Sequence, residues 1–396
     1  MRIAQLAPVW ESVPPKKYGG SERVVHWLTE ELVRRGHHVT LYASGDSETS
    51  AELRAICDQA VRLHDSMEDG EALHMVMMDR VRREASQFDV IHSHLESRGY
   101  PVLRTLQTPS LSTIHSRLDL PEASAVYDEF REVPLVSISN AQRTPVPQAR
   151  WVKTVYHGMP NELFRFGSGD AGHLAFVGRI CSEKRPDRAI EIAKRTGLRL
   201  LIAAKLEAAQ EEYFDIHVRP HLSEQIQYLG EVDHREKEEL LRSARALLFP
   251  IDWPEPFGLV MTEAFACGTP VVAWRCGSVP EVVKDGVDGF IVDSIEEAVS
   301  AVQHTANLDR KSCRTSFEER FSAEVMTDGY LEAYEQLEFA ANGIRRREPL
   351  LAERAALEEL EDAACMPLLT EVSSARGAVL EISARASSTG KSDTSL

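Results

Sequence analysis

The chain has 396 residues, 43% apolar and 27% charged, which excludes collagen-like, mucin-like and wholly disordered classes and suggests two domains. Its 45 basic and 62 acidic residues leave a net charge of −17, so non-specific binding of nucleic acid or anionic lipid is not expected, although a local basic site stays open. No run approaches the ~18 apolar residues of a membrane span, Met1–Pro8 is too soon broken for a signal peptide, and the six cysteines (Cys57, Cys181, Cys267, Cys276, Cys313, Cys365) lack a CxxC pair. A reducing, cytoplasmic setting is expected.

In chain order, Ile3–Val9 reads as a strand followed by a Gly/Pro/Lys loop. Ser21–Arg35 reads as a helix, with Ser21 as N-cap, an apolar stripe of Val24, Val25, Leu28 and Leu32, and Gly36 as the stop. Val39–Ala43, Phe88–His92, Leu111–His115 and Leu135–Ser139 supply further strands. A second alternating series follows the loop at Gly167–Asp170: Leu174–Val177, Leu198–Ala203, Ile226–Leu229, Ala246–Pro250, Pro270–Ala273 and Gly289–Val292. Strands alternating with helices predict an α/β fold of two doubly wound modules joined near residues 160–172, with a ligand site in the cleft at the strands' carboxyl ends. The chain is predicted helical from Ser322 to about Ala340, then acidic and amphipathic over Leu350–Ala364, and disordered over Ser387–Leu396. That tail reads as a solvated appendage or as a regulatory or oligomerisation helix.

Three stretches carry candidate chemistry. Gly19 and Gly20 stand between the first strand and a helix, where backbone N–H groups can face an anion; a plain connection is the other reading. The pattern is not GxGxxG, which argues against a dinucleotide site. Arg179 and Lys184 lie in the loop that ends the Leu174–Val177 strand and leads into a helix starting near Pro186. They suit a diphosphate, or else pair with Glu183 and Asp187 on a solvated loop. In Trp253–Pro270 a Pro-bounded loop presents Glu255, and a short apolar helix from about Gly258 to Cys267 carries Glu263. A carboxylate in such a helix needs donors, and vicinal sugar hydroxyls are a natural pair; complementing the helix dipole is the alternative. Eight residues of continuous helix would separate the two carboxylates by about 12 Å, against roughly 5–9.5 Å in glycosidases, which leans away from hydrolysis. His115 closes a strand facing the cleft, and His92 and His94 form an HxH pair with no third ligand cluster in the sequence.

These motifs, in this order over roughly residues 1–340, resemble the retaining glycosyltransferases of family 4, which have the GT-B fold. The Glu-x7-Glu motif, Glu255 to Glu263, is the strongest element; Gly277–Val283 and Asp285–Phe290 also match. The resemblance implies that Arg179 and Lys184 hold a nucleotide diphosphate and that Glu263 grips the ribose hydroxyls. Glu255 and the backbone of Phe257, Gly258 and Leu259 would then contact the donor sugar, Gly19 and Gly20 would form the N-terminal glycine loop, and His115 would sit near the acceptor and the reacting carbon. It implies no metal and no cofactor beyond the sugar nucleotide as co-substrate, with same-face attack assisted by the leaving phosphate. The family often has His-Asn-Gly where this chain reads Tyr156-His157-Gly158.

The expected organisation is therefore an acceptor-side domain over residues 1–165 and a nucleotide-sugar domain over 166–320. A helix over 321–342 would pack back across them, and an acidic helical, then disordered, tail would occupy 343–396. The expected activity is metal-independent retaining transfer of a hexosyl group from a UDP- or GDP-linked sugar to a sugar, lipid or small-molecule hydroxyl. A GT-B epimerase or phosphorylase, or a silent sugar-nucleotide-binding protein, are the alternatives. Donor base, acceptor, linkage and oligomeric state are not set by the sequence, and no nucleic-acid partner is expected. Within residues 72–87, Met75, Val76, Met77 and Met78 beside Arg80, Arg82 and Arg83 read as a core stripe, with weak peripheral membrane contact as the other reading.

Overall fold

The computed structural model describes residues 1–16, 19–64 and 69–339. The predicted tail over 343–396 lies outside the described residues. Among those residues, thirteen strands form two wholly parallel sheets. The first has the order β3-β2-β1-β4-β5-β6-β7. Its strands are β1 (Arg2–Leu6), β2 (His38–Ala43), β3 (Glu52–Ala55), β4 (Val90–Ser93), β5 (Ser110–Thr113), β6 (Leu135–Ser137) and β7 (Trp151–Thr154). The second, in the order β10-β9-β8-β11-β12-β13, comprises β8 (Leu174–Arg179), β9 (Leu200–Lys205), β10 (Ile226–Gly230), β11 (Ala246–Phe249), β12 (Val271–Trp274) and β13 (Gly289–Val292). In both sheets the chain winds one way and then returns past its first strand, so β1/β4 and β8/β11 are switch points. The fold is the doubly wound pair of α/β modules that the alternation predicts.

All six strands of the second series form where expected, within about two residues, the usual scatter of strand ends. β9 starts at Leu200 rather than Leu198 because Gly197, at φ +71°, ends the preceding helix and the chain needs two residues to re-enter the sheet. β3 and β7 were not anticipated. Both are edge strands with half-exposed side chains, so neither has the apolar run that marks a central parallel strand.

The first helix spans Gly20–Arg34, so Ser21 lies inside its first turn and is not the N-cap. Gly19 occupies the cap position without any side-chain cap, two residues before the cap that the Ser signal suggests. Its other end is as expected. Gly36, at φ +85°, donates to Val33 O, and His37 donates to Leu32 O, a Schellman termination. In the helix Gly70–Glu84, Met77 and Met78 are buried in the core, while Met75 and Val76 face solvent. No described helix is long and apolar enough to cross a membrane.

One apolar cluster runs through both lobes, from Ile3, Val24 and Leu28 to Phe257, Phe265 and Phe321, and two further clusters cover the sheets' other faces. After a bridge between Met159 and Ser322, a helix over residues 323–339 packs on the first lobe, burying Tyr330 and Tyr334. The chain turns between lobes at Gly158, where a Cβ would stand 2.1 Å from Ser322 O; only glycine fits there.

Candidate active site

The strands' carboxyl ends open on a cleft of about 1100 Å³ whose walls come from both lobes. Gly19, Gly20, His115, Arg179, Lys184, Glu255, Phe257, Gly258, Leu259 and Glu263 all line it, so the candidate residues of the sequence are brought together in one space.

Two helix N-termini meet here. One is that of Gly20–Arg34; the other belongs to the helix Leu259–Ala266, capped by Gly258. Among the described residues neither has a side-chain cap, and the positive ends of both helix dipoles favour a ligand anion. Gly258 adopts φ +81°, and a Cβ would lie 2.8 Å from Met261 Cε and 3.1 Å from Phe249 Cζ. The lobes approach closely at this level, since a Cβ on Gly20 would meet Leu259 Cδ1 at 3.6 Å.

Each carboxylate of the Glu-x7-Glu motif has a lysine. Lys184 Nζ donates to Glu255, and the ammonium lies 4.9 Å from the Trp253 ring centroid and 5.5 Å from that of Phe249. Lys237 Nζ donates to Glu263, which is buried, and stands 5.5 Å from the Phe164 ring. The solvated-loop reading of the Arg179–Asp187 segment does not hold for its charges. Lys184 turns to Glu255, Glu183 takes Arg117 from the other lobe, and Asp187 takes Arg185. Among the described residues Arg179 makes no ion pair, which leaves its guanidinium open to a ligand.

The lobes are also pinned directly. Arg117, two residues beyond His115, donates from Nη1 to Glu183 Oε1 at 2.7 Å and lies over Trp253 at 5.1 Å, while Asp119 grips it from its own lobe. Glu281 of the second lobe accepts from the backbone N–H of Asn140 and Ala141, both at 2.7 Å, and from Tyr156 Oη at 3.0 Å. The Tyr156-His157-Gly158 departure thus carries a contact of its own at Tyr156, and it places His157 on His115, with ring centroids 5.1 Å apart.

His115 is hydrogen-bonded to His94 and His157 rather than standing free. Burial holds its pKa down to about 4 and keeps His92, His94 and His157 well below the ordinary imidazole value, so all four are neutral at pH 7. The HxH pair is used internally. His92 bonds Tyr334 and Thr113, and His94 bonds Gln5 and His115. Among the described residues no group of three or more His, Cys, Asp or Glu is placed to hold a metal ion. Lys237, Arg117 and His157 were missed from the sequence. A lysine within the charged helix His234–Ser243 carries no distinguishing pattern, and the other two matter through contacts across the cleft.

Two family models match in succession: Glycosyltransferase Family 4 over residues 18–165 and Glycosyl transferases group 1 over residues 164–315. Among characterised relatives, the D-inositol 3-phosphate glycosyltransferase of Mycolicibacterium smegmatis is 29% identical over 329 residues, 70% of this chain and 74% of that one. Its counterpart in Mycobacterium bovis is 28% identical over 322 residues, 67% of this chain and 65% of that one. Among solved structures, a sucrose-phosphate synthase from Thermosynechococcus elongatus aligns with TM-score 0.70 at 19% identity, covering 86% of this chain and 99% of its own. AviGT4, a glycosyltransferase of avilamycin A biosynthesis, aligns with TM-score 0.64 at 23% identity, covering 85% and 98%. Anabaena HepE, solved with UDP and glucose, aligns with TM-score 0.63 at 17% identity, covering 85% and 100%.

Proposed function

From a chain that belongs to the family 4, group 1 glycosyltransferases and has their GT-B fold, we propose metal-independent, retaining transfer of a hexosyl group from a nucleotide-diphospho-sugar. One observation carries this reading: Arg179, the Lys184–Glu255 pair, the Lys237–Glu263 pair and two uncapped helix N-termini converge on a single cleft in a protein of net charge −17. Arg179, outside any ion pair among the described residues, and two helix N-termini set against the overall charge favour an anionic ligand, and a diphosphate suits them.

In this reading Arg179 and Lys184 neutralise the charge that develops on the departing diphosphate, the task a divalent ion performs elsewhere. Glu263 accepts from the ribose hydroxyls. Glu255, with the N–H groups of Phe257, Gly258 and Leu259, orients the donor sugar, and His115 lies beside the reacting carbon. Closure of the lobes excludes water and favours transfer over hydrolysis. HepE, similar in fold, binds UDP-glucose, which supports a nucleotide-sugar donor. The relatives' acceptor, a polyol phosphate, is the first to test because the N-lobe wall of the cleft carries Lys16 and Arg23.

The test is a transfer assay in EDTA with UDP- and GDP-linked hexoses and an acceptor panel that includes inositol phosphates, with product configuration read by NMR. The expected product keeps the donor's anomeric configuration at a rate EDTA does not reduce. An inverted product would overturn retention, and loss of activity in EDTA would overturn metal independence.

A further inference from the structure

Gln5, on β1, is fully buried. Its Nε2 lies 3.2 Å from Tyr334 Oη and its Oε1 2.9 Å from His94 Nε2. From there a row of imidazoles runs toward the cleft. His94 Nδ1 is 2.9 Å from His115 Nε2, and His115 Nδ1 is 3.4 Å from His157 Nε2. His157 Nδ1 ends the row, buried and, among the described residues, without a hydrogen-bond partner.

A neutral imidazole has one N–H and one lone pair, so this row has two polarities. In the first, His94 Nε2 donates to Gln5, His115 Nε2 donates to His94, His157 Nε2 donates to His115, and the row ends in an idle lone pair. In the second, the Gln5 amide is turned, every proton sits on Nδ1, and the row ends in a buried N–H with no acceptor. The internal bonds are equal in number, so the far end decides. Orphaned buried N–H groups are the rarer and costlier defect, which selects the first polarity. That polarity also completes the neighbouring network. Gln5 donates to Tyr334, leaving Tyr334 to donate to His92 Nδ1 at 2.7 Å, His92 to Thr113 at 2.7 Å, and Thr113 to Tyr330 at 3.0 Å. Burial keeps all these imidazoles uncharged, as the row requires.

We infer that Gln5 is a positioning residue for the transfer reaction: through His94 it fixes His115 as the Nε2–H tautomer, with both ring nitrogens held by protein. The inference rests on the transfer reading, in which His115 stands beside the reacting carbon. His115 then presents a neutral ring in one orientation and takes no proton. As the acceptor oxygen bonds to the anomeric carbon and the bond to phosphate breaks, the hydroxyl proton passes to the departing phosphate oxygen.

Multiple-bond ¹⁵N spectra of the histidine-labelled full chain test the polarity in the wild type, with signals assigned from variants that each remove one histidine. His115 carrying its proton on Nε2 is the expected result; Nδ1–H, or a rapidly exchanging mixture, would overturn the inference. In Gln5→Met, of similar volume, the fixed tautomer signature should be lost and kcat should fall about tenfold while donor KM stays within about twofold. A retained thermal shift with nucleotide establishes that this variant is folded. An unchanged kcat in folded Gln5→Met, even beside an Nε2–H wild-type spectrum, would overturn the positioning role alone. Absence of any turnover in the wild type would overturn the transfer reading and the role with it.

Discussion

Lys237 and Glu263 form a largely buried pair, with side chains 18% and 7% exposed, and removing either partner leaves the other's charge uncompensated. On the proposed roles, Glu263→Ala should therefore lose the proposed ribose contact and leave an uncompensated ammonium beside it. Donor affinity is expected to fall about tenfold or more, since a hydrogen bond to a charged group contributes about 1.5–3 kcal/mol. His115→Ala removes no donor anchor, so turnover should drop while donor affinity is kept. Donor titration and initial rates on both variants separate the roles, and unchanged rates in His115→Ala would remove it from the reaction. Neutral His92, His94, His115 and His157 also make stability depend on pH. Their folded values lie below the ordinary 6.5, so below that pH the unfolded chain binds more protons than the native one. Stability is full above about pH 6.5 and drains as pH falls toward 4, by up to ~1.4 kcal/mol per unit for each histidine. A thermal midpoint that stays level between pH 7 and 5 would contradict this. At this scale the sequence revealed those residues whose type clashes with their surroundings, such as Glu263 in an apolar helix. Lys237 and Gln5 looked ordinary because their partners are 26 and 89 residues away.

The two helices that point at the cleft were legible because glycine precedes each and an apolar pattern follows. Their starts were less so: Ser21 is a strong cap signal, yet the cap falls two residues sooner, at Gly19. Edge strands β3 and β7 escaped notice for a related reason, since a strand covered on one side needs no continuous apolar run. Between elements, the turn after β5 touches the loop after β8 through Arg117 and Glu183, and the loop after β11 through Arg117 and Trp253. Each contact is partly exposed and individually weak. Their arrangement is what matters: Arg117 follows His115 in one lobe, and Trp253 stacks on Lys184 in the other. Holding the lobes together here keeps His115 and Glu255 on the walls of one cleft. Arg117→Ala should lower kcat roughly three- to tenfold with donor affinity kept, and adding Glu183→Ala should cost little more because both break one contact. Additive losses in that double-mutant cycle would show that the two act separately.

For the whole molecule, the parallel architecture was legible because buried central strands and amphipathic helices alternate twice along the chain. How the modules face each other was expected from strand-end rules and the family resemblance rather than from any residue pattern, since the contacts that set it are distant in sequence: the shared apolar cluster through Phe257, Phe265 and Phe321 and the helix over 323–339 returning to the first lobe. This arrangement makes a cleft rich in cationic side chains from two lobes of an acidic protein, and metal-free capture of a sugar nucleotide there is the central claim. The most direct measurement is a thermal-shift panel of UDP, GDP, ADP and their sugar conjugates in EDTA, on wild type and Arg179→Ala. A ligand that binds only the folded state raises the midpoint through linkage. The account predicts a rise with one base family in the wild type that is largely lost in Arg179→Ala. No rise with any nucleotide in folded wild type, or a rise only when a divalent ion replaces EDTA, would contradict it.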